Sequence, residues 1–127
     1  MGRRSKKEKL NSSVGWINLK LRVMAEYCSS GIWVIGQRGI WRHGMISHAS
    51  LRLPTDLSER FEQWLDLYST RLDDTNFDTP SFNHTGRALA TELKSYLGEN
   101  VYVEFVPESD DGTGLGTAEE IKLAPER

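Results

Sequence analysis

The single cysteine of this sequence, Cys28, sits in the polar run Glu26-Tyr27-Cys28-Ser29-Ser30-Gly31 beside two hydroxyls. A nucleophilic thiolate needs a base within hydrogen-bond reach. His43 and His48 are close enough in sequence to return to that run if the chain folds back on itself. Cys28 with His43 or His48 is therefore the candidate catalytic set of a Cys-dependent enzyme. Against it stand the usual role of a lone cysteine as a small buried hydrophobe, the lack of any family signature around it, and the turn chemistry that already accounts for Ser29 and Ser30. The balance leans away from an enzyme. The same residues do not read as a zinc site, because there is no C-x-x-C or H-x-x-x-H pair, and His84 or an acid would have to supply a fourth ligand. No metal and no cofactor is expected.

A second group of residues suits binding. Trp33, Arg38, Trp41, Arg42 and His43 interleave aromatic and basic side chains, and Lys20 and Arg22 lie on the polar side of an alternating stretch just before them. On an open sheet face, such residues could anchor a protein partner or contact phosphates and stack on bases. The plainer alternative puts Trp33 or Trp41 in the core and leaves the arginines to solubilise a hairpin. Strand parity across Gly36 and Gly39 leaves the choice open. The run Gly112-Thr113-Gly114-Leu115-Gly116 is not a phosphate loop, since it lacks the Lys-Ser or Lys-Thr ending and does not clearly open a helix.

The elements that must position these groups are marked by hydrophobic period. Ile17, Leu19, Leu21, Val23 and Ala25 alternate with Asn18, Lys20, Arg22, Met24 and Glu26, which predicts a strand with one wet face. Ile32 to Ile35 predicts a strand returning beside it. Between Ile40 and Ile46 a short third strand is possible, with Gly44 able to break it. Leu57, Phe61, Trp64, Leu65, Tyr68 and Leu72 recur at steps of three and four, one stripe of a helix opened by Pro54 and by an Asp56/Glu59 pair with capping-box spacing. Phe82, Gly86, Leu89, Leu93, Tyr96 and Leu97 mark a second helix, started by Asp78 or Thr79 with Pro80 and ended by Gly98. Asp73 to Asn76 make a polar turn with Phe77 folded back over it, so the helices should lie antiparallel. Gly86 in mid-helix points to a close helix crossing or a close approach to the sheet. Val101 to Val106 predicts a last strand, ended by Pro107 and placed beside the first.

Together these predict a two-layer α+β domain: a small, mostly antiparallel sheet of three to four strands, covered on one face by two antiparallel helices. At 127 residues the chain is one domain's worth. Residues 1–9 carry Arg3, Arg4, Lys6, Lys7 and Lys9 against Glu8 and read as a basic flexible tail. Residues 10–106 form the domain. Residues 107–127 are acidic and glycine-containing and read as a second flexible tail. The overall charge of −2 argues against a protein built mainly around polyanions. No apolar run approaches the roughly 18 residues of a membrane span, no signal-peptide core follows the basic start, and one cysteine suits a reducing cytoplasm.

The pattern Leu53-Pro54 with Leu57, Trp64 and Tyr68, then Phe82, Gly86-Arg87, Leu89-Ala90, Leu93 and Leu97-Gly98 ahead of a Val-x-Val-x-Phe strand, resembles small bacterial α+β proteins of no assigned activity. The resemblance spans residues 19–106 and carries no catalytic residue across. It implies a bacterial, cytoplasmic protein. Three functions stay in play. The first is a protein-interaction or accessory module acting through the open sheet face, with an unknown protein as partner. The second is nucleic-acid binding through the basic tail and the Arg/Trp hairpin, and the third is the Cys28 enzyme.

Overall fold

A computed structural model of the chain describes residues 19–36, 44–74 apart from the Leu72 side chain, 76–110 and 114–123. The basic tail, Ile17, and the hairpin residues Arg38, Trp41, Arg42 and His43 lie outside the described residues. In chain order the elements are β1 (Lys20–Val23), β2 (Ile32–Gly36), β3 (Gly44–Met45), α1 (Thr55–Thr70), a 3-10 turn (Arg71–Asp73), α2 (Thr79–Leu97), β4 (Tyr102–Phe105) and β5 (Glu119–Glu120).

The five strands form one sheet in the order β3-β2-β1-β4-β5. Three of its four ladders are antiparallel and one, β1 with β4, is parallel. The parallel pairing follows from the helices: the end of α2 returns the chain to the end of the sheet where β1 begins, and the Tyr102 amide donates to the Leu19 carbonyl at 3.1 Å. The predicted neighbour of the first strand is thus correct, and the sheet is mostly antiparallel as expected, with one parallel ladder and five strands rather than three or four.

Alternation decides what each strand buries. Leu19, Leu21, Val23 and Ala25 turn inward, beside Ile32 and Val34 on one side and Val103 and Phe105 on the other. The helices cover this inner face with Leu57, Phe61, Trp64 and Tyr68 from α1 and Phe82, Leu89, Ala90, Leu93 and Leu97 from α2. Each leucine or phenylalanine among them, fully buried, contributes about 1.5–3 kcal/mol. The helices run antiparallel, since Arg60 in the first half of α1 meets Glu92 late in α2, while Tyr68 near the end of α1 packs on Phe82 near the start of α2.

The termini of the helices differ from one another. Asp78 caps α2 as its composition predicts, accepting from the Ser81 amide at 3.0 Å, and Gly98 ends it at φ 96°. For α1 the expected capping box does not form. Pro54 occupies the N-cap and has no side-chain acceptor, so Asp56 falls inside the first turn and bonds Arg60 instead, at 2.8 Å. Tyr96 also departs from its stripe: it is 38% exposed, with its hydroxyl donating to the Arg52 carbonyl. A phenol can stay at the rim where an aliphatic side chain could not, because its polar end has a partner there.

Beyond Val106 the described residues are not a free tail. The Gly116 amide donates to the Pro107 carbonyl at 2.8 Å, Glu119–Glu120 pair with β4, and Ile121 is buried while its amide donates to Val103. Arg87 on α2 holds Glu119 through two bonds of 2.8 Å. A two-residue strand has no period to read, and its one apolar residue, Ile121, follows it.

Gly86 is the close approach the sequence suggests. A Cβ there would lie 2.6 Å from both the Trp64 and the Phe105 rings. Gly86→Ala should therefore destabilise by about 1–3 kcal/mol of overpacking, offset in part by about 1 kcal/mol of helix propensity. A lower urea midpoint with unchanged slope is the expected result. Trp64→Ala should cost about 3–5 kcal/mol by the same measurement.

Candidate functional site

The helices leave the other side of the sheet uncovered, and strand register brings a distinct set of residues there. Arg22 stands opposite Trp33 on β2 and beside Glu104 on β4. Lys20 stands beside Tyr102, Trp33 opposite Met45, and Glu104 opposite Glu120. Across the sheet the outer face therefore runs from Met45 and Trp33 through Lys20 and Arg22 to Tyr102, Glu104 and Glu120. Of the predicted binding residues, Lys20, Arg22 and Trp33 are brought together here; Arg38, Trp41 and Arg42 lie outside the described residues.

Trp33 is not a core residue. It is half-buried on the outer face, with its indole N–H donating to the Met24 carbonyl at 3.0 Å. At the centre of the face Glu104 is only 6% exposed, and both its carboxylate oxygens are engaged. Arg22 Nε donates to Oε2 at 2.5 Å and the Tyr102 hydroxyl donates to Oε1 at 2.7 Å. Lys20 Nζ sits over the Tyr102 ring, 5.8 Å from its centroid. The hydrogen bond to Glu104, helped by burial, pushes the Tyr102 phenol up to about 12, since ionising it would set two anions against each other.

Tyr102 and Glu104 were missed as site residues, although a signal was present. Inward Val103 and Phe105 force their neighbours outward. An acid on a strand flanked by such residues needs a base, and Arg22 is the one the parallel register supplies.

The Cys28 set is arranged differently. Cys28 is exposed in the β1–β2 turn at φ 55° and lines a shallow cleft of about 290 Å³ with Glu26, Glu62 and Asp66. His43 lies outside the described residues. His48 has both ring nitrogens in use, Nε2 donating to the Ser30 carbonyl at 2.9 Å and Nδ1 bonded to the Ser58 hydroxyl at 2.7 Å. The tautomer follows from the carbonyl, which can only accept. Ser29 and Ser30 serve the turn: the Ser29 hydroxyl donates to the Glu26 carbonyl, and that of Ser30 ties the turn to Ile46 at 2.6 Å. His84 is exposed on α2.

Elsewhere, Arg60 joins Asp56 and Glu92 across the helix surface, and Lys94, although buried, donates to the Val101 and Glu99 carbonyls at 2.5 and 3.2 Å. These contacts fix helices and chain ends rather than forming a site. Among the described residues no group of three or more His, Cys, Asp or Glu side chains is placed to hold a metal, and no helix is long and apolar enough to cross a membrane.

Residues 19–108 match the model of the Serratia CdiI immunity protein-like family. The chain belongs to that family. The matched span runs from the residue before β1 through β4 to Glu108, so it includes both helices and the centre of the outer face. No curated protein and no solved structure matches the chain. The family is bacterial, as the sequence resemblance implies, and immunity proteins act by binding a partner toxin. A protein-interaction role fits that family, and nothing in the family supports nucleic acid as the partner.

The Tyr102 bond gives a pH test. The raised folded-state value means that its stabilising contribution is present below the ordinary phenol range near 10 and is lost as pH rises from there through about 12. Burial raises Tyr68 and Tyr96 as well, so in a near-ultraviolet titration three tyrosines should ionise late, and in Glu104→Gln one of them, Tyr102, should move back toward the ordinary value.

Proposed function

We propose that this chain is the immunity partner of a bacterial protein toxin and that it neutralises the toxin in the cytoplasm by covering it with the outer face of the sheet. One observation carries this reading beyond family membership: on the face the helices leave open, a half-buried tryptophan, an arginine and a tyrosine stand on three adjacent strands, β2, β1 and β4. Tryptophan, tyrosine and arginine are the residues most enriched where truncation costs most binding energy. The ladders fix the backbone spacing, and side-chain bonds from Trp33 to the Met24 carbonyl and from Arg22 and Tyr102 to Glu104 restrict the side chains, so less freedom remains to be lost on docking.

The helical side offers a contrast. The exposed residues of α1 include Glu59, Glu62 and Asp66, long or solvated side chains of the kinds depleted at interface centres. Leu67 is its one largely exposed apolar residue, at 52%. A single such residue is ordinary on a soluble surface.

The test is co-expression with a panel of bacterial toxin domains. Growth should be rescued from one toxin by this chain, and the two should co-purify. Trp33→Ala should then weaken the complex by about 2 kcal/mol or more, roughly 30-fold, while Glu62→Lys on α1 leaves it within a few-fold. If Glu62→Lys abolishes rescue and Trp33→Ala does not, the docking face is the helical one. If no toxin is neutralised, the immunity reading is wrong.

A further inference from the structure

The centre of the outer face is charged in a way that specifies what it meets. Glu104 and Arg22 form an ion pair, yet the pair is not closed. The acid is spent, with one oxygen on Arg22 Nε, the other on the Tyr102 hydroxyl, and only 6% of the residue exposed. The base is half spent. Its side chain is 36% exposed, it contacts Glu104 through Nε, and among the described residues nothing accepts from its two terminal nitrogens. Bonding through Nε fixes the guanidinium plane and leaves a two-pronged donor edge free. Lys20, two residues earlier on the same strand face, adds a second exposed cation. Trp33 and Tyr102 flank these cations from the neighbouring strands.

From this arrangement we infer that Arg22 is a preformed receptor for a carboxylate side chain of the partner protein, with Lys20 as the auxiliary cation and Trp33 and Tyr102 as its apolar walls. The inference rests on the outer face being the docking surface, and it names the chemistry that surface reads. A planar guanidinium takes a carboxylate through two parallel bonds, which a lysine ammonium cannot do. Glu104 makes the receptor specific rather than merely basic. It holds the fork in one orientation before the partner arrives, so the ordering cost of a long side chain is already met. It also lowers the net charge at the centre of the face, which disfavours binding that relies on charge alone. The partner's acid should sit inside an interface rather than at its rim, because the aromatic walls exclude water around it.

The experiment follows the Arg22 side-chain nitrogens by NMR in the full chain. The probe is the blocked tripeptide acetyl-Gly-Glu-Gly-amide, with acetyl-Gly-Gln-Gly-amide as its neutral isostere, at constant ionic strength. The glutamate peptide should give a saturable shift at the Arg22 terminal nitrogens and at the Trp33 indole, and the glutamine peptide should give none. Arg22→Lys, which keeps the charge and a partner for Glu104, should bind the glutamate peptide roughly tenfold more weakly, about the worth of one charge-assisted hydrogen bond. The double variant Arg22→Gln with Glu104→Gln leaves no buried acid unpaired, so it should fold by circular dichroism and show no binding.

Equal, non-saturating drifts with both peptides would overturn the inference, as would an unchanged response in Arg22→Lys or in the folded double variant. A short single-stranded oligonucleotide that shifts Arg22 at lower concentration than the peptide would replace the carboxylate with a phosphate and the partner with nucleic acid. A concentration-dependent dimer that buries Trp33 and blocks the titration would assign the face to a second copy of the chain. Toxin rescue is read separately. Carboxylate binding without rescue would leave the receptor standing and remove the immunity reading, and rescue with no carboxylate response would do the reverse.

Discussion

The contact on which the rest of this fold depends is the one between Trp64, Gly86 and Phe105. Trp64 is 1% exposed, stacks on Phe82 at 4.9 Å with the rings 15° apart, and meets Phe61 and Phe105 at its edges. Its indole N–H donates to the Phe82 carbonyl at 3.0 Å, which joins α1 to the first turns of α2 by a buried polar bond as well as by packing. Gly86 makes the arrangement possible, since any larger residue would bring a carbon into both rings. One side chain therefore sets the spacing of the two helices and their height above β4. Main-chain bonds, Tyr102 to Leu19 and Val106 to Val23, hold β4 against β1, and that register brings Arg22 to Glu104.

What could be read from the sequence was what repeats. Two helices with their inner stripes, the alternation of β1, the last strand beside the first, the Asp78 and Gly98 caps and the close approach at Gly86 all follow from periods of two or about 3.6 and from a few residues with strong backbone preferences. What could not be read was what does not repeat. β5 has two residues and no alternation, and it is held by β4 and by Arg87, 32 positions away. The Asp56/Glu59 spacing suggested a cap, but the chain places Pro54 at the boundary and shifts Asp56 inside it. Spacing alone does not decide which residue occupies the N-cap.

The outer face shows the same division. Lys20 and Arg22 were legible as wet-face residues because β1 alternates cleanly, whereas the side taken by Trp33 depended on a pairing register that the intervening glycines left open. Once β2 pairs so that Trp33 faces Arg22, both lie away from the helices. The partnership of Arg22 with Glu104 spans 82 positions and had no local signature. An ionised pair of this kind is poor evidence for stability, because desolvating the acid offsets much of the attraction. Its location argues for a different role, since a hydrophobic pair at the same position would serve the sheet equally well and would orient nothing.

If the outer face is the docking surface it must keep its shape, and the order of the layers favours that. Among the described residues the helices and the buried apolar cluster lie on the inner face, so the packing that holds the domain together is concentrated there. The residues that display it are backed by strands whose inner side chains are almost completely buried: Leu21, Val23, Ile32, Val103 and Phe105 are each at 0% exposure. Interiors packed to that degree resist deformation. The backbone at the outward residues inherits that rigidity, because moving the Cα of Arg22 or Trp33 by an ångström would require moving a core residue on either side of it. Affinity gained by preorganisation is then set by the core as much as by the contacts. Substitutions at Trp64 or Gly86, which touch no part of the outer face, should loosen the backbone positions of Arg22 and Trp33.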